Sequence, residues 1–303
     1  MQNKNSNFPI QKVPKSEFKN HFFLKRLLEL PDKIPENIYF KGSFPNEKTK
    51  FLTIVGSRNI STYGKDCLDF LFKGLEGYNI CVISGLAVGV DSRAHELALK
   101  HNLPTIAIPG SGIDESVIYP SSNKKLLEKI LENDGLIMNE FEPDFKATLW
   151  SFPMRNRIMA VLSDALLVIE AGEKSGSLIT VRLATDYNKD ILTIPGNIFS
   201  KNSFGPNNLI KDGATPITQA SDILEVLKIK PREEIEKDKQ KLEELNLTDL
   251  EKEILNVLDE AMSKDKISEK LAKYDLGEIL TALTLLEWKG FVKEEVGVVR
   301  RIK

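Results

Sequence analysis

Six short apolar runs mark the middle of the chain: Phe51–Val55, Ile80–Ile83, Thr105–Ile108, Leu136–Met138, Ala165–Ile169 and Ile191–Ile194. They lack polar alternation, which suits strands buried on both faces of a sheet. Between them apolar residues fall at helical spacing, as in Leu68, Leu71, Phe72 and Leu75, or Leu126, Leu127, Ile130 and Leu131. Strand–helix–strand alternation predicts an α/β domain with a doubly wound, mostly parallel sheet over residues 46–225. The charged stretch from Lys228 to Glu244 breaks this rhythm and reads as a solvated linker, set at 226–246. Beyond it, Thr248 with Glu251 and Asp275 with Glu278 have the spacing of capping boxes that open two helices. The final residues alternate around Val296-Gly297 like a hairpin, so a small winged-helix unit is expected over 247–303. Residues 1–45 are poorly periodic apart from Phe22 to Leu30, and are expected to be a short N-terminal extension.

Composition narrows the class. Apolar residues are 41% of the 303 and charged residues 28%, enough apolar material for a real core and too much for wholesale disorder. No apolar run is long enough to span a bilayer and no signal-peptide stretch opens the chain, so a cytoplasmic protein without a membrane partner is expected. Cys67 and Cys81 sit among apolar neighbours and read as reduced thiols. The net charge of −2 gives no global attraction for a polyanion. Any such partner has to meet a local basic pocket.

The strand ends carry the candidate chemistry, because ligands of open parallel sheets sit beyond the carboxyl ends of the strands. The runs exit into Gly56-Ser57-Arg58, Ser84-Gly85, Pro109-Gly110-Ser111-Gly112, Asn139-Glu140, Glu170-Ala171-Gly172 and Pro195-Gly196. Gly85, Gly110 and Gly112 either make tight turns or let backbone come close to a ligand. Arg58 is the first charged side chain past the first run, at a turn that leads into a helix. A phosphate suits its fork of donors, while an ion pair with Asp91 or Glu140 is the alternative. Lys174-Ser175-Gly176-Ser177 opens a helix after the fifth run and offers amides, hydroxyls and a charge for an oxyanion, although simple N-capping would also explain it.

Gly110 and Gly112 form only part of a dinucleotide fingerprint, since Glu115 stands where its third glycine belongs. No cofactor is expected. Residues 150–157 interleave Trp150 and Phe152 with Arg155 and Arg157, a composition that single strands favour. Phe152, beside Pro153, is the candidate for base stacking, and Trp150 is as apt to pack inward. His21, His95 and His101 have neither paired cysteines nor the second histidine of a zinc motif, and Ser84 and Ser175 have no evident base. Neither a metal nor a catalytic group is expected.

Taken together, the blocks GSRNISTYG (56–64), SGLAVGVDSRAHELAL (84–99), PGSGIDESVIYPSSNKKL (109–126), FPMRNRIMAVLSDALLVIEA (152–171), SGSLIT (175–180) and PGNIFSKNSFGPNNLIKDGA (195–214) resemble the DNA-processing protein A (DprA, or Smf) family. The likeness runs from about residue 30 onward. It implies an extended Rossmann-like domain that forms a homodimer, and a non-enzymatic mediator. Such a mediator holds and protects single-stranded DNA entering in natural transformation and helps load the RecA recombinase. By motif, the resemblance places Gly56, Ser57 and Arg58 on a backbone phosphate. Ser175, Gly176 and Ser177 stand at the same pocket beside Lys174, with Arg155, Asn156 and Arg157 next to them.

Many members carry an N-terminal sterile-alpha-motif domain, for which residues 1–45 are too short. In the C-terminal unit the helix that would enter duplex DNA, 276–289, holds Glu278 and Glu287 against Lys289 alone. A partner-binding or regulatory role is expected there. Two other classes remain open. Nucleoside-monophosphate phosphoribohydrolases share the first strand and turn, but their catalytic glutamate has no counterpart at the right spacing in Glu173-Lys-Ser-Gly-Ser-Leu-Ile-Thr. A nucleotide-sensing transcription regulator is disfavoured by the acidic balance of 247–303.

Overall fold

The computed structural model describes residues 8–31, 33–232, 247–258, 260–295 and 297–302. The chain divides into two compact units, Met1–Ile229 and Lys230–Lys303.

The first unit starts with β1 (Gln11–Pro14), two 3₁₀ turns (Lys15–Asn20 and Leu24–Glu29) and β2 (Asn37–Gly42). Strand–helix units follow: β3 (Lys50–Val55), α1 (Thr62–Leu75), β4 (Ile80–Ser84), α2 (Val90–Lys100), β5 (Thr105–Ala107), α3 (Lys124–Glu132) and β6 (Leu136–Asn139). Then come α4 (Ser151–Leu162), β7 (Ala165–Val168), α5 (Ser177–Asp186), β8 (Asp190–Thr193), α6 (Phe204–Lys211), β9 (Thr215–Pro216) and α7 (Ala220–Val226). Among the described residues nine strands form one sheet in the order β1-β2-β6-β5-β4-β3-β7-β8-β9. Pairing from β6 through β9 is parallel, and β2 joins β6 antiparallel. All six predicted runs are strands of this sheet.

Alternation along β3 shows how both faces are filled. Phe51 and Val55 face a core shared with α4 and α5, while Leu52 and Ile54 face α1, α2 and α7. The chain moves outward from β3 through β4, β5 and β6 on one side, then returns beside β3 to build β7, β8 and β9 on the other. The winding reverses at β3 and β7. A crevice therefore opens beyond their carboxyl ends.

The N-terminal segment corrects the expectation of a separate extension over 1–45. Its two strands lengthen the sheet, and Phe18, Phe23, Leu24 and Leu27 are fully buried in the α4/α5 face of the core. The Phe23 and Phe51 rings lie 4.5 Å apart. Arg26 donates to Leu162 O (2.8 Å) and Asp164 (3.0 Å), whose other carboxylate oxygen accepts the Phe51 amide at 2.7 Å. The segment is thereby stitched to the centre of the domain. Only Phe22 to Leu30 carries a period in this segment, and its buried side chains sit on and beside a single short 3₁₀ turn rather than a full helix.

The second unit contains α8 (Asp249–Val257), β10 (Met262–Ser263), α9 (Lys264–Lys270), α10 (Leu276–Trp288), β11 (Val292–Glu295) and β12 (Val298–Arg301). Both capping boxes form as the spacing predicts. β11 and β12 pair antiparallel around Gly297, and β10 adds to β12. Val296 and most of the expected linker, 233–246, lie outside the described residues. Ile229, placed in that linker from the sequence, packs on the α1/α2/α7 face of the first unit.

If the N-terminal segment is integral, Phe23→Ala destabilises the first unit by about 3–5 kcal/mol, the usual cost of emptying a buried aromatic site. A fall in the urea midpoint followed by far-UV circular dichroism measures it. An unchanged midpoint contradicts this packing.

Candidate nucleic-acid interface

A cleft of about 630 Å³ occupies the crevice beyond β3 and β7. Its walls include Gly56, Ser57 and Arg58 after β3, and Phe152, Arg155 and Asn156 from α4. Lys174, Ser175, Gly176 and Ser177 close it from the start of α5. Three sequence blocks, at 56–58, 152–156 and 174–177, thus meet at one place, because the parallel sheet brings strand exits to one edge.

Arg58 is exposed, and its guanidinium lies 5.4 Å above the Phe152 ring. Among the described residues it makes no ion pair; the two acids considered as partners are engaged elsewhere. Asp91 accepts the Gly85 amide at 3.1 Å, and Glu140 is paired with Arg157. A cation held over a partly exposed ring near solvent is stabilised by only about 0.5–1 kcal/mol, so Arg58 remains available to an anion.

At the start of α5, Ser177 donates its amide weakly to Ser175 Oγ (3.4 Å), and the two hydroxyls are 2.6 Å apart. A side chain on Gly176 would point into open space, and the Gly176 amide has no acceptor among the described residues. The partial positive charge of the helix start therefore faces the cleft beside the exposed Lys174. Ser57 has a local task, since its hydroxyl closes a turn with Asn59 at 3.0 and 3.1 Å.

Arg155 is buried in the cleft floor. It donates to Gly85 O at 2.6 Å, to Ile108 O, and through Nε to Asn156 Oδ1 at 3.1 Å. It thus ties the exits of β4 and β5 together. Burial pushes its pKa down to about 10, with the Arg58 charge adding to this and the Asp91 charge opposing it. Burial likewise raises the Asp91 carboxyl, while the Arg155 charge pulls it down.

His95, fully buried on α2, lies close to the same guanidinium. Its Nδ1–H donates to Thr105 Oγ1 at 2.7 Å, since that hydroxyl already donates to Val82 O. Burial, followed by the Arg155 charge, lowers the His95 pKa to about 3, so the ring is neutral.

The glycines act beneath the cleft. A Cβ on Gly110 would meet the Phe152 ring at 2.5 Å, and one on Gly85 would run into the Arg155 guanidinium. Gly112 supports the backbone of Glu142 and Pro143 and does not line the cleft.

Arg157 corrects the grouping of the whole RNR block. It is buried against Glu140 and donates to Lys33 O at 2.6 Å, so it does not face the cleft. Two residues along a helix turn the side chain by about 200°, which takes it away from Arg155. Leu149, Pro153, Ile179 and Asn202 also line the cleft but were not anticipated. Helical spacing from Phe152 and Asn156 would have found Leu149 and Pro153, whereas Asn202 comes from a loop with no local signal.

Among the described residues there is no cluster of three potential metal ligands, and no helix is long and apolar enough to cross a membrane. What the cleft can do is hold an anion and a flat apolar group side by side. The fold and cleft define an extended doubly wound domain with a cleft at its switch point that exposes Arg58, Lys174 and an open helix start.

The chain belongs to the DNA recombination-mediator protein A family, whose model matches residues 16–228. It is 37% identical over 214 residues to DNA processing protein DprA of Streptococcus pneumoniae, covering 71% of this chain and 74% of that protein. It is 32% identical over 291 residues to Protein Smf of Escherichia coli, covering 94% and 76%. The crystal structure of the pneumococcal protein matches with a TM-score of 0.63 and 35% identity over 72% of this chain and 74% of its own. DNA processing protein A of Helicobacter pylori, studied for its single-stranded DNA binding mode, matches with a TM-score of 0.62 and 29% identity over 73% and 97%.

The two cleft arginines should differ sharply in their effect on stability. Arg155→Ala leaves buried carbonyls and Asp91 without their cation and should cost about 3–5 kcal/mol, whereas Arg58→Ala should stay within about 0.5 kcal/mol of wild type. Paired urea titrations decide this. Because the folded state holds His95 neutral, its contribution is complete above the unfolded value near 6.5 and is lost as pH falls toward about 3. His95→Asn should therefore show a smaller loss of stability than wild type between neutral pH and pH 4.

Proposed function

We propose that this protein binds single-stranded DNA in the cleft and acts as a recombination mediator rather than as an enzyme. One observation carries this reading: Arg58, exposed and without an ion-pair partner among the described residues, converges with Lys174 and the open start of α5 beside an aromatic ring. Arg58 and the Gly176 amide hold a backbone phosphate, and Phe152 lies beside the base. Protection of DNA entering in natural transformation and loading of the RecA recombinase are the further steps we assign to it. We place these in the cytoplasm and assign them to a homodimer. Membership of a recombination-mediator family supports a role in recombination.

We read the second unit as a winged helix that meets a partner rather than a duplex. Its element order supports this, as does α10, which carries no cation between Leu276 and Trp288. Lys289, which follows, donates to buried Glu251 at 2.7 Å and is taken up internally.

Arg58→Ala should weaken binding of a labelled single strand about ten- to hundredfold, the loss of one charge-assisted hydrogen bond. The salt dependence should become shallower by about one unit of slope. Wild-type affinity in the variant overturns the placement, and release of free base from AMP by the purified protein overturns the non-enzymatic reading.

A further inference from the structure

At Leu149 the cleft wall passes into Trp150, an aromatic side chain outside the cleft lining that the phosphate site does not use. The segment between β6 and α4 folds back so that Phe141 and Phe145 stack at 4.6 Å, and Trp150 meets both edge-on at 5.7 and 5.5 Å. This loop is pinned. Gly112 donates its amide to Phe145 O at 2.8 Å and Asp114 donates to Pro143 O at 2.8 Å. Ser151 Oγ bridges Gly110 O at 2.6 Å and Thr148 O at 2.8 Å. On this rigid base Trp150 is 55% exposed, and Leu149, which lines the cleft, is 92% exposed.

Phe152 is far less open. Its ring rests on Gly110, with Arg58 over it and Tyr119 edge-on at 5.8 Å. Trp150, next in the chain to the cleft residue Leu149, presents a more open aromatic face than Phe152 does.

The geometry points to a second subsite: Leu149 and Trp150, backed by Phe141 and Phe145, form a platform that stacks an unpaired nucleobase of the nucleotide next to the one whose phosphate Arg58 holds. This rests on the single-strand reading above and extends it. Leu149, which lines the cleft with Phe152, is the direct chain neighbour of Trp150, which joins the platform to the site. A tryptophan held by its neighbours loses little freedom on stacking, which favours binding. The exposed charges of the loop, Glu142 and Asp144 against Lys146, give this platform no basic excess and set it apart from the anion site. Its contribution is stacking and is insensitive to salt.

The sequence holds two tryptophans, so Trp288→Phe leaves Trp150 as the only indole. In that background a short oligothymidylate should quench the remaining fluorescence, and the same oligomer with abasic sugars should not. Trp150→Ala should weaken thymidylate binding roughly 5- to 100-fold with an unchanged salt slope and leave the abasic strand unaffected, while Trp150→Phe should retain most of the affinity. Equal losses for both strands, no quenching, or a change in oligomeric state alone overturns the subsite. Arg58→Ala, run alongside, separates the two ideas. If it binds as wild type, the cleft reading itself fails; if it loses affinity while Trp150→Ala does not, only the platform fails.

Discussion

A guanidinium sealed in the floor of the cleft, that of Arg155, is the interaction on which the site depends. It joins Gly85 O at the end of β4 to Ile108 O at the end of β5, and it faces the buried Asp91 carboxylate. Asp91 in turn accepts the amide of Gly85, so one charge pair sets the turns after two strands. Remove the cation and two carbonyls and a carboxylate are left in a dry interior, each without the partner that makes its burial tolerable. The glycine at 85 is part of the same device, because any side chain there would occupy the space of the guanidinium.

Three arginines near this edge show how burial divides labour within one residue type. Arg155 and Arg157 are both buried, and each spends its donors on fixed protein acceptors: strand-end carbonyls for one, Glu140 and Lys33 O for the other. Arg58 alone among them faces solvent, resting on a ring that gives it a place without satisfying its hydrogen bonds. The buried pair builds the frame and the exposed one is left to meet a ligand.

Much of this was legible in the chain. Unalternated runs of apolar residues gave the parallel strands, and the clustering of small residues at their ends located the cleft, because a parallel sheet delivers all its exits to one edge. The N-terminal segment was not legible as part of the core, since its helical pieces are single 3₁₀ turns and its strands are short antiparallel additions at the margin of the sheet. Nor was the split between Arg155 and Arg157. Both lie in one helix start, and only their rotation about the helix axis separates them. The inward or outward choice for Trp150 depended on Phe141 and Phe145, whose approach is set by a loop without regular structure.

The orientation of one amide has a wider consequence. Asn156 gives its oxygen to Arg155 Nε, so what its side chain keeps in full is a pair of N–H donors. Asp91, the acid in the cleft wall, commits one carboxylate oxygen to the amides of Gly85 and Ala87 and lies under the influence of the Arg155 charge. The floor thus answers its own negative charge from within, and an oxygen-rich group settling on it would meet little repulsion from below.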